Sequence, residues 1–147
     1  MQSLATLAWR AVIAGEEAVA EAAAAMAAAA SREETAVFAA MVISIAADAV
    51  EKAKLGVVAA YEEGGEVEES GEKMREIAAI LVEFMGKMEE LGRKVKDGFV
   101  CLEGLEGAAA AEMEMGRFGK AMGRFKLAMW AFAMVLQLEY DGIQRRE

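Results

Sequence analysis

Chemistry in this chain has few sources, because its 147 residues include no histidine and only one cysteine. That removes the commonest general base and the commonest metal ligand. Carboxylates, lysines and one thiol remain. Bundle metal sites of the ferritin-like kind combine inward-facing Glu with Glu-x-x-His, and without His that site cannot form. An all-carboxylate site could be drawn from Glu17 and Glu21, or from Glu112 and Glu114. The first pair falls on the polar face of its helix, and the second diverges around its helix. Both read as solvated surface. Haem ligation through His is excluded, and Met ligands alone would be unusual.

Acid/base work needs a carboxyl group with a shifted pKa. Asp48 is the one acid inside a long apolar stretch, but it shares a helix face with Ser44 and Glu51 and is expected to be exposed. Lys54, before Leu55, and Lys126, between Phe125 and Leu127, are the candidates for lysine chemistry. Snorkelling at the surface explains them better. Cys101 lies among Phe99, Val100 and Leu102 and reads as a small core residue, since no His can activate it. Gly116 to Gly119 makes a Gly-x-x-Gly pattern inside a helix with no preceding strand, which is not a nucleotide fingerprint. Arg117, Lys120, Arg124 and Lys126 form a basic stripe that could touch phosphate. A solvated helix face is the simpler reading. No catalytic, cofactor-binding or metal-binding residue is therefore assigned, and the chain is expected not to be an enzyme.

The elements that would position any site are helices. Proline is absent, against an average near 5%, as suits long helices joined by short turns. Helix one is expected over about 2–30. Leu4, Ala8, Ala11, Gly15, Val19, Ala22, Met26 and Ala29 form its apolar face, opposite Ser3, Thr6, Arg10, Glu17 and Glu21. The alanine tract Ala22–Ala30 is broken only by Met26 and is thin enough for a close neighbour. Ser31 with Glu34 makes a capping box that starts helix two. A single helix running through Ser31 is the competing reading, and it would invite a swapped dimer.

Helix two is expected over about 32–62. One stripe runs through Phe38, Val42, Ile45 and Ala49, and another through Ile43, Val50 and Val57. A helix apolar around most of its circumference should be the most enclosed of the set. Gly64-Gly65 ends it. Helix three, about 66–103, carries the cleanest heptad: Val67, Met74, Ile77, Leu81, Phe84, Met88, Leu91, Val95, Phe99 and Leu102. Favourable (i, i+4) pairs follow from Glu69/Lys73, Glu83/Lys87 and Glu89/Arg93. Asp97-Gly98 reads as helix or a local bend, and Gly104 to Gly107 as the stronger stop.

Helix four, about 108–141, continues the register through Ala111, Met115, Phe118, Met122, Phe125, Met129, Phe132 and Leu136. Gly116, Gly119 and Gly123 sit beside this seam, either for close contact with a neighbour or without structural purpose. Each costs a helix interior about 0.8–1 kcal/mol relative to Ala. Trp9 and Trp130 are expected as core anchors. The 11 methionines serve as gap-filling core or line an adaptable apolar groove.

Short turns favour antiparallel neighbours, so the expected fold is all-α, an antiparallel up-down-up-down four-helix bundle formed by a single domain over 1–147. The acidic cluster Glu62, Glu63, Glu66, Glu68 and Glu69 would then lie at the same end as Arg145 and Arg146. No motif matches a natural family. The Ala22–Ala30 tract, the Ser31 capping box, the Gly64-Gly65 turn, the long heptads and the lack of Pro and His together resemble a de novo designed helical bundle. Gly15, Gly56, Gly86 and Gly92, the many Met and the free Cys depart from conservative design. That resemblance implies a fold with no natural function.

Composition narrows partners. The chain has 16 basic and 25 acidic residues, a formal net charge of −9, which disfavours nucleic acid and anionic lipid. The apolar runs Ala36–Ala47 and Leu127–Leu136 are too short to span a bilayer. The first residues lack a basic signal-peptide start, and one cysteine implies no oxidising compartment, so a cytoplasmic setting is expected. Hydrophobic residues reach 56%, leaving apolar surface for a second copy as partner. Three functional expectations follow: a structural scaffold without catalysis; a self-assembling or partner-binding module using Ala, Gly and Met faces; and a binder of apolar small molecules in a Met-lined core.

Overall fold

The computed structural model describes residues 4–29, 33–63, 67–100 and 108–146. They form four helices: α1 (Leu4–Ala29), α2 (Glu33–Glu63), α3 (Val67–Val100) and α4 (Ala108–Arg146). α3 runs through Asp97 and Gly98 without a break, and α4 continues to Arg146, past the end expected near Asp141. Ser3, the Ser31 capping box, the Gly64-Gly65 turn, Cys101 and the Gly104 to Gly107 stop lie outside the described residues. So do the side chains of Glu62, Glu63, Glu66, Glu68, Glu69, Arg145 and Arg146.

The contacts order the helices. Gly56 of α2 lies beside Ile77 of α3, and Phe38 beside Lys94, so one chain rises as the other falls. α3 and α4 repeat this: Gly92 is next to Phe118 and Phe84 next to Phe125. In α1 and α2, Trp9 meets Lys54 and Gly15 meets Val50. This is the contact order of antiparallel neighbours in an up-down-up-down bundle. It also separates α1 from α2. Glu16 and Lys54 would stand about 57 Å apart on one helix, yet Lys54 Nζ is 3.2 Å from Glu16 Oε1. α1 and α2 are separate helices folded against each other.

The enclosed helix is α1, not α2 as the apolar circumference suggested. α1 packs on all three others and most extensively on α4, while among the described residues α2 packs on α1 and α3 but not on α4. The alanine-rich surface of α1 is the cause. Ala8, Ala11, Ala18, Ala22 and Ala25 are all buried, and their small side chains let backbones approach. In α2 the buried line runs Ala39, Val42, Ala46, Val50, Ala53 and Val57. It lies between the two expected stripes. Ile45, placed inside by the first of them, is 43% exposed. α2 therefore spends part of its apolar circumference on solvent, at Val37, Met41, Ile45 and Leu55.

α3 follows its heptad closely: Met74, Ile77, Leu81, Phe84, Met88 and Leu91 are all buried. α4 does the same through Phe118, Met122, Phe125, Met129 and Phe132. The four helices meet in one layer around Gly15. A Cβ there would stand 3.4 Å from Phe84 and from Val50, and 3.5 Å from Phe125. Phe84 and Phe125 meet edge to face, with centroids 5.1 Å apart and planes at 77°, a favoured aromatic geometry. A Cβ at Gly15 would stand in van der Waals contact with both rings and with Val50, so the layer closes around this position.

Candidate functional site

No described polar or charged residue is buried in the core. The charged side chains that sequence reasoning singled out sit on the surface, where several pair between helices. Glu16 of α1 binds Lys54 of α2, whose ammonium also lies 5.9 Å from the Trp9 ring centroid. Lys54 is thus half-buried against an aromatic face and held by a carboxylate, a structural use of its long stem. Glu17 of α1 binds Arg124 of α4 at 3.5 Å. Glu89 of α3 binds Lys126 of α4 at 2.9 Å. Arg117 donates to Glu114 Oε1 at 3.3 Å within α4. The second oxygen, Glu114 Oε2, is shielded from solvent without a hydrogen-bond partner.

Arg117, Arg124 and Lys126 of the basic stripe each face a carboxylate of their own chain at the surface, which pairs three of its four charges. The expected pair Glu89/Arg93 gives way to a cross-helix one: the Lys126 ammonium, by hydrogen bond and by charge, holds Glu89 below the usual carboxylate range, and Arg93 adds to the effect. An open groove beside Gly92 is lined by Glu89, Arg93 and Lys96. Each pair is exposed to solvent, so it contributes little to stability.

The candidate acids do not converge. Glu17 and Glu21 lie at the edge of α1, with Glu17 turned to Arg124. Glu112 is exposed and Glu114 is turned to Arg117. Asp48, Ser44 and Glu51 share an exposed face of α2. Among the described residues, no three Cys, Asp or Glu side chains come together as metal binding would require. No helix among them is long and apolar enough to cross a membrane.

Sequence reasoning placed Trp130 in the core, and the structure does not. Trp9 is half-buried against the core, whereas Trp130 is 64% exposed. Trp130 follows Met129 of the buried seam, and one residue turns about 100° around a helix. Met74, Met88, Met122 and Met129 fill the core, while Met113 and Met134 face outward. Gly116, Gly119 and Gly123 are likewise exposed, and a Cβ on any of them would meet nothing within 4 Å. No described side chain or helix of this chain approaches them. The signal is present in the spacing: from Gly116 to Met134, small and then large residues recur every three or four positions, a second seam on the face opposite the buried one. No protein-family model, curated protein or solved structure matches the chain.

Proposed function

We propose that this protein is a structural helical-bundle scaffold without catalytic activity, with the composition of a designed fold and no natural function. The carrying observation is the separation of chemistry from interior. The described core is apolar throughout, and the candidate acids and lysines are engaged in surface pairs between helices or stand apart. A reactive centre needs a titratable group held in a shielded place with partners converging on it, and these groups are used instead to tie α1 to α2 and α4, and α3 to α4. The test is a thermal-shift panel of divalent cations, nucleotides and apolar small molecules on the full chain. No saturable rise in Tm is the expected result. A saturable rise with any of them would overturn the reading, since a ligand that binds only the folded state must raise its stability.

A second reading, a self-assembling module, is favoured by one observation. Of the large apolar residues that a monomer leaves in water, Leu127 at 71% exposure, Trp130, Met134 and Leu138 share the outer face of α4.

A further inference from the structure

We propose that the outer face of α4 is an interface for a second copy of this chain, docked antiparallel around Gly123. The inference rests on the self-assembly reading and gives it a surface and a geometry. Gly116, Gly119, Gly123, Leu127, Trp130 and Met134 succeed one another by three or four residues, and all six are exposed. They make one straight seam along a helix that is already packed on its opposite side through Phe118, Phe125 and Phe132.

The seam is divided in a way that selects the occupant. Its first half is glycine, with open space above each Cα. Its second half is large: Leu127, Trp130 and Met134. A two-fold axis at Gly123 sets residues equally far before and after it against each other. Leu127 then falls on Gly119 of the second copy, and Trp130 on Gly116 of the second copy. Leu127 and Trp130 each meet a place with no side chain. Met134 reaches the exposed Glu112 of the second copy at the rim, and the two backbones cross where both carry Gly123. A parallel pair would instead set Trp130 against Trp130 and leave the glycine halves facing a gap. Such isologous self-complementarity is what a two-fold dimer requires.

The chain exposes 9001 Å², above the ~7,300 Å² of a compact monomer of its mass, and Leu127, Trp130 and Met134 are part of that exposure. Arg124 and Lys126, which flank the seam, face Glu17 and Glu89 of their own chain, which lowers the like charge between two copies. Lys120 beside Gly119 is the exposed cation the pair must keep at its rim.

The experiment is sedimentation equilibrium of the full chain from one to several hundred micromolar, with two variants. The parent is expected to be a dimer over this range. Trp130→Glu should weaken association about a hundredfold, as for a central interface aromatic, with helix content unchanged because Trp130 contacts solvent in the monomer. Gly116→Leu should also weaken it about tenfold or more by filling the seat of Trp130. In dilute monomer the same change should raise Tm, since it replaces a helix glycine without a clash. A variant that merely damaged the fold would lower both. In a Cys101→Ser background, Gly123→Cys should form an intermolecular disulfide and Gly116→Cys should not, because antiparallel packing separates the two positions by about 21 Å along the axis. A monomeric parent overturns both the assembly reading and this interface. A dimer untouched by either variant, or one cross-linked through position 116, overturns this interface and leaves assembly standing.

Discussion

Gly15 and Gly86 are the same residue in two helix interiors, and the structure uses them in opposite ways. At Gly15 the side chains of Phe84, Val50 and Phe125 close in on the space a Cβ would take. At Gly86 that space is empty. The first glycine is part of the packing of all four helices. The second only weakens its helix. The contrast teaches that a helix glycine gains meaning from the neighbour opposite it, and that neighbour is supplied by the bundle rather than by the local chain.

The contrast can be broken from either side. The largest effect is expected from removing what fills the Gly15 layer. Phe84 is fully buried and meets Phe125 edge to face, so Phe84→Ala should cost about 3–5 kcal/mol of unfolding free energy, read from the urea midpoint at constant slope. An effect under about 1 kcal/mol would mean that the layer collapses freely and that Gly15 is not specifically packed.

Next come matched insertions. Gly15→Leu adds atoms where three side chains already stand and should destabilise by about 1–3 kcal/mol. Gly86→Leu adds them to solvent and should stabilise by somewhat under 1 kcal/mol through helix propensity. Thermal unfolding of the two variants side by side checks the sign. Equal signs would erase the distinction between the two glycines.

The smallest effect concerns the surface pair that ties α3 to α4. Glu89 is held below its ordinary value by Lys126. A carboxylate with a depressed folded pKa adds stability above its unfolded pKa, and that increment is lost as pH falls through the folded pKa. The Tm gap between the parent and Glu89→Gln should therefore be open at neutral pH and close as pH drops below the usual carboxylate range. A gap that stays constant down to strong acid would show that the pair contributes nothing through charge.

Much of the fold is legible in the amino-acid sequence. The heptads of α3 and α4 point to Met74 through Leu91, and to Phe118 through Phe132, and those residues are buried. Each of these helices carries one unbroken buried seam of large residues, and periodicity then names the inside directly. α2 was harder because apolar residues surround it. Two stripes were expected at Val42 and Val50, yet the buried line borrows from both and adds Ala39, Ala46 and Ala53. Trp130 was misplaced for a related reason: residue type argued for the core while its phase, one residue past Met129, argued against it. The candidate acids and lysines could be named, but not paired. Glu16/Lys54, Glu17/Arg124 and Glu89/Lys126 join residues of different helices, and no local spacing predicts such partners.

The amino-acid sequence by itself determined the helices. Backbone hydrogen bonds within a helix are local, so propensity, apolar period and the absence of proline suffice to specify them. Tertiary structure alone decided which helix is enclosed, which glycine is packed and which tryptophan meets water. Those outcomes depend on what lies across the gap between helices, and burial is a property of the pair of surfaces rather than of either one.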